Sequence, residues 1–122
     1  MRYYEIRCLI TRISGRPGSI GSRQLAQAVA LLLQSPTFPN RSLMADLYPK
    51  IARLNNTTTQ NVARNIARAA EACWEYGDRK ELERVAGRRL LEKPTPGELL
   101  FYLYHYLGKN RERISQAKLS PR

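Results

Sequence analysis

Gln60, Asn61, Arg64 and Arg68 lie close together in the chain, and all four belong to types that make paired hydrogen bonds to base edges. An arginine guanidinium forks onto guanine O6 and N7, and a glutamine or asparagine amide matches the adenine edge. Advancing about 100° per residue from Val62, these four fall between about 160° and 260°, while Ile66, Ala69 and Cys73 stay within about 40° of Val62. One side is apolar and suited to a core. The other is polar and suited to the major groove of a duplex, where a merely solvated face would be richer in Lys and Glu.

Other constellations carry less chemistry. His105 is the only histidine, and within the run Leu99 to Leu107 it reads as a packed or interfacial side chain rather than a base. No nucleophile, base and metal can be assembled, so the expectation is a non-enzymatic protein with no catalytic residue, metal, cofactor or small-molecule substrate. Cys8 and Cys73 are 65 positions apart without CxxC spacing; they read as two buried free thiols in a reducing compartment. The segment Gly15 to Ser22 lacks the lysine of a phosphate-binding loop. Free N–H groups opening a helix at Ser22, with Arg23 beside it, could hold one DNA phosphate, although a plain interhelical loop explains the same residues. Phe101, Tyr102, Tyr104 and Tyr106 could stack bases, but Leu99, Leu103 and Leu107 interleave with them and favour packing against the domain or a second subunit.

These residues must be positioned by helices, because strand signals are sparse and helix start and stop signals recur at short intervals. The fold expected is all-α, about six short helices around one core. Residues 2 to 13 place Tyr3, Ile6, Ile10 and Ile13 on one side, although Leu9-Ile10-Thr11 is compatible with a strand as well. Ser22 is expected to cap a helix carrying Leu25, Ala28, Val29, Leu32 and Leu33, ended by Pro36 and Pro39. After Asn40 the pattern Leu43, Leu47, Ile51, Leu54 predicts a helix bent at Tyr48-Pro49. Asn55-Asn56 makes a turn, and Thr57 with Gln60 forms a capping box that opens the helix ended by Gly77. Asp78 with Glu81 opens a short helix carrying Leu82, Val85 and Ala86, closed by Gly87. Thr95, Pro96 and Glu98 open a last helix to about Leu107. Residues 43 to 77 thus read as a helix-turn-helix, whose first helix braces the second in the groove.

Charge supports that reading. The 122 residues carry 21 Lys and Arg against 10 Asp and Glu, a net +11. Sixteen of those cations are Arg, the residue that forks onto phosphate or guanine. Residues 1 to 70 hold 10 cations and 2 anions, and residues 71 to 122 hold 11 and 8, so the N-terminal part holds +8 of the excess. Such a surface favours polyanions. No apolar run approaches the ~20 residues of a membrane span, and Glu5 and Arg7 interrupt the N-terminal apolar stretch that a signal peptide needs. The expectation is a cytoplasmic protein that does not engage membranes.

Leu47-Tyr48-Pro49, Ile51-Ala52, Asn56-Thr57-Thr58, Val62, Arg64, Ile66, Glu71, Trp74, Gly77 and Lys93-Pro94-Thr95 with Glu98 together resemble the C-terminal DNA-binding domain of the stage-zero sporulation protein A response regulators. The resemblance covers nearly the whole chain. It implies about six helices that bind short DNA boxes through a helix-turn-helix, often as a head-to-tail pair on tandem sites. It also implies Arg64 as the reader of a guanine. The family pattern Val-Glu-Arg-x-Ile-Arg stands here as Val62-Ala63-Arg64-Asn65-Ile66-Ala67, with an arginine at Arg68. Ala63 removes an acceptor for a cytosine amino group, which predicts a different or looser box. The family also carries a receiver domain ahead of this one, and with the chain opening on Met1 the expectation is that this switch is lacking.

The expectation is therefore a transcriptional regulator without a receiver, binding double-stranded DNA by sequence, with pairing of two copies on tandem sites. Residues 1–108 form its DNA-binding domain and 109–122 a basic, partly flexible tail that frays or reaches for phosphate. Gln60, Asn61, Arg64 and Arg68 read bases; Lys50, Arg53, Thr57, Thr58, Ser22 and Arg23 hold the backbone. The alternatives are an RNA- or ribosome-associated basic protein, and a protein-interaction module using the Tyr-rich last helix.

Overall fold

The computed structural model describes residues 3–15, 18–34 and 43–119, and the side chains of all of these save 43–44 and 109–119. Among the described residues six helices follow in order: α1 (Tyr3–Ser14), α2 (Ile20–Leu33), α3 (Leu43–Leu54), α4 (Thr59–Glu75), α5 (Arg79–Ala86) and α6 (Pro96–Leu119). There is no strand among the described residues, and the fold is all-α as expected.

The first segment is a helix rather than a strand, because Ile6, Leu9, Ile10 and Ile13 recur at helical spacing and all are buried. Cys8 lies on the opposite side and is exposed, which corrects the expected pair of buried thiols; only Cys73 is buried, and both are free. α2 begins earlier than expected. Its N-cap is Ser19, whose Oγ accepts from the Ser22 N–H at 3.0 Å. Two serines three apart both satisfy the sequence rule, and the one in extended backbone takes the role.

Pro49 does not interrupt α3, which runs unbroken through it; losing one donor and accommodating one ring is a local penalty that the burial of Leu47, Tyr48, Ile51 and Ala52 outweighs. Leu54, in phase with that stripe, stands exposed at the helix's last residue. The box at Thr95 is complete: its N–H donates to Glu98 Oε1 at 2.8 Å, and the Glu98 N–H donates to Thr95 Oγ1 at 3.1 Å. Asp78 caps α5 through the N–H groups of Lys80 and Glu81, and Gly87 closes it in the left-handed conformation. α6 continues past Leu107 and Gly108 to Leu119, since one helical glycine costs only about 1 kcal/mol against alanine. Pro36 and Pro39, Arg16 and Pro17, Arg122 and the side chains of Lys109, Arg111, Arg113 and Lys118 lie outside what is described.

α4 touches all five other helices, and α2 touches α1, α3, α4 and α6. Leu25, Ala26, Ala28, Val29 and Leu32 are buried along α2, meeting a single core completed by Val62 and Ile66 of α4 and Leu99, Leu100 and Leu103 of α6. Burying each large aliphatic side chain contributes about 1.5–3 kcal/mol. Tyr102, Tyr104 and Tyr106 pack on the margin of that core, so packing uses much of their surface, as expected from the interleaved leucines.

Candidate nucleic-acid interface

Burial divides α4 as the periodicity requires. Val62, Ile66, Ala69, Ala70 and Cys73 are buried, and Gln60, Asn61, Arg64 and Arg68 are exposed. Burial also pushes the Cys73 thiol up to about 12, so it stays protonated and behaves as a core side chain.

The turn between α3 and α4 has a specific geometry. The Thr57 N–H donates to the Ala52 carbonyl at 2.9 Å and the Asn56 N–H to Arg53 at 3.3 Å, the paired bonds of a Schellman closure. Asn56 carries φ 52, a conformation that asparagine tolerates better than most side chains. The N-cap of α4 is Thr58, one residue later than expected, with Oγ1 accepting from the Asn61 N–H at 3.1 Å. Thr57 Oγ1 instead accepts from Asn61 Nδ2 at 3.1 Å, so one of that amide's two hydrogens is already engaged.

Of the residues expected at phosphates, Lys50, Arg53, Thr58 and Arg23 are exposed and Thr57 is half-buried. A threonine oxygen that accepts a cap bond keeps its hydroxyl hydrogen available to a phosphate oxygen. Ser22 is buried, and its N–H is taken by Ser19; the structure does not bring it to the surface.

Availability separates the cations. Arg84 is paired with Glu81, and Arg12 lies 3.8 Å from the same carboxylate. Arg79 sits 3.3 Å over the Trp74 ring and donates to the Trp74 carbonyl at 2.7 Å. Arg64, Arg68, Lys50 and Arg53 form no ion pair with a described residue. Arg64 and Arg68 stand one turn apart as like charges, which costs about 0.2–0.5 kcal/mol and is relieved by an anion. Beyond Arg68 the same face turns acidic, with Glu71 and Glu75 exposed.

Sequence reasoning missed the residues that hold this unit. Asn65 Nδ2 donates to Gln24 Oε1 at 3.1 Å, and Asn55 Nδ2 donates to Gln27 Oε1 at 2.7 Å and to the Ile51 carbonyl at 2.7 Å. At Gly21 a Cβ would lie 2.4 Å from the Asn65 carbonyl oxygen, so only glycine lets α2 approach α4 so closely. The available signal was two glutamines inside the otherwise apolar run Leu25 to Leu33 and its lead-in, where a polar side chain needs a partner.

Among the described residues no three His, Cys, Asp or Glu side chains gather to hold a metal, and no helix is long and apolar enough to cross a membrane. No curated protein matches the chain. A family model described as "Sporulation initiation factor Spo0A C terminal" matches residues 6–107, which takes in α1 from Ile6 to the buried Leu107 of α6. That family is a DNA-binding effector domain involved in transcription regulation. Six helices, a turn closed by Asn56 and an α4 divided between core and arginine-bearing surface are accounted for together: the chain belongs to the Spo0A C-terminal domain family and binds DNA.

Proposed function

We propose that the protein regulates transcription in the cytoplasm by reading double-stranded DNA in sequence, with α4 in the major groove. Gln60, Arg64 and Arg68 make the base contacts, with Asn61 beside them. Lys50, Arg53, Thr57, Thr58 and Arg23 engage phosphates, and two copies pair on tandem sites. The observation that carries this reading is the single helix with a fully buried apolar side and an outer side whose two arginines have no described ion-pair partner. Selection from random duplexes at about 0.15 M salt, where long-range attraction is largely screened, is the test. A short enriched motif is expected. Unenriched pools, or structured RNA outcompeting the best duplex, overturn the reading.

A further inference from the structure

α2 meets the helix-turn-helix unit along one line of residues spaced a turn apart. Gly21 lies against the backbone of α4 at Asn65 and against the Ala69 side chain. Gln24, 2% exposed, accepts from Asn65. Gln27 accepts from Asn55 at the end of α3. The core beside this line is aliphatic or small: Leu25, Ala28 and Val29 of α2 and Val62, Ile66 and Ala69 of α4 belong to one buried cluster. Dispersion holds such a surface together without strongly selecting one rotation, whereas a buried directional hydrogen bond favours a single register.

We propose that Gln24 and Gln27 are positioning residues for DNA reading, fixing the rotation and axial register of α4 by gripping Asn65 and Asn55. This rests on the reading of α4 given above. Asn65 lies on α4 itself, between Arg64 and Arg68, so its rotation is theirs. The tip of an outstretched arginine stands roughly 8 Å from the helix axis, and a rotation of about 10° moves it about 1.4 Å. That displacement exceeds the range of roughly half an ångström over which an N–H···O bond stays good. Most of the proposed contacts to phosphate are made by the long side chains of Arg23 on α2 and of Lys50 and Arg53 on α3, which tolerate the same rotation. The two glutamines therefore govern discrimination between sequences and leave general attraction to DNA unaltered.

The test compares Gln24→Met, Gln27→Met and the reciprocal swap Gln24→Asn with Asn65→Gln, which keeps the summed length of the two amide side chains. Binding is measured to the duplex enriched by selection and to a scrambled duplex of equal length, at a temperature where Trp74 fluorescence shows each variant folded. Each single variant is expected to lose about tenfold in the ratio of the two affinities, the size of one base contact. Affinity for the scrambled duplex and its salt dependence stay as in the unaltered chain, and the swap recovers most of the ratio. A ratio unchanged in the folded single variants, with only a lower melting temperature, overturns the proposal by making the amides structural alone. Gln27→Met, at a half-buried edge, decides the matter if Gln24→Met does not fold. If the unaltered chain enriches no motif, the reading of α4 fails and this inference falls with it; an enriched motif with undiminished discrimination in the variants overturns the inference alone.

Discussion

At the scale of single residues, the proposed reading divides labour between Arg64 and Lys50. Arg64 stands exposed on the outer side of α4, and Lys50 is exposed on α3. Arg64→Ala is expected to cost about 1–3 kcal/mol and to relax preference at one base, while Lys50→Ala weakens all sequences alike and lowers the salt slope by about 1. Anisotropy titrations on matched and single-substituted duplexes check this, and equal losses on every sequence for both variants refute the division. The two thiols make a second contrast. Cys8 is exposed, and Cys73 is buried with its thiol pushed up to about 12. One rapid equivalent of aromatic disulfide reagent is expected on the folded protein and two after denaturation; two rapid equivalents on the native chain would contradict the burial of α4.

At the scale of helices, glycine decides which elements touch. A Cβ at Gly77 would sit 1.6 Å from the Ile13 carbonyl oxygen, and one at Gly15 would sit 2.7 Å from the Tyr76 carbonyl oxygen. The ends of α1 and α4 therefore meet backbone to backbone. Gly77→Ala must force them apart, with an expected loss of about 1–3 kcal/mol or more in urea unfolding followed by Trp74 fluorescence; an unchanged midpoint would mean the contact is not tight. Much of this architecture was legible in the sequence, because burial imposes a 3.6-residue period that Ile6 to Ile13 and Val62 to Cys73 display. What was not legible involved choices between near-equivalent residues or balances between elements. Thr57 and Thr58 can each cap a helix, and the closure at Asn56 selects the second. Pro49 and Gly108 carry local penalties that the sequence shows, but the packing that outweighs Pro49's is visible only in three dimensions. The polar residues Gln24 and Gln27 acquire meaning only when Asn65 and Asn55, 41 and 28 positions away, are brought to them.

At the scale of the whole molecule, the N-terminal and C-terminal parts are tied across α1 and α5, where Glu81 sits between Arg84 and Arg12. The hydrogen bond from Arg84, helped by the nearby charges, holds the Glu81 carboxyl below the usual carboxylate range. A carboxyl depressed in the folded state adds stability above its unfolded value and loses it as pH falls through the folded one. Glu81→Gln is thus expected to be less stable than the unaltered chain at pH 7, with the gap narrowing on going from pH 7 to pH 3 in thermal melts. A gap of equal size at both pH values would show that the ion pair is not its source. The change of sign along the outer face of α4, from Arg64 and Arg68 to Glu71 and Glu75, has its effect at this scale as well. On the proposed reading of α4, a rod that is attractive to phosphate at its leading end and repellent at its trailing end favours entering a groove head first. Its host then lies on the duplex with a heading, so that reversing a binding box relative to a promoter turns the whole protein around and presents a different side of it to whatever machinery waits downstream.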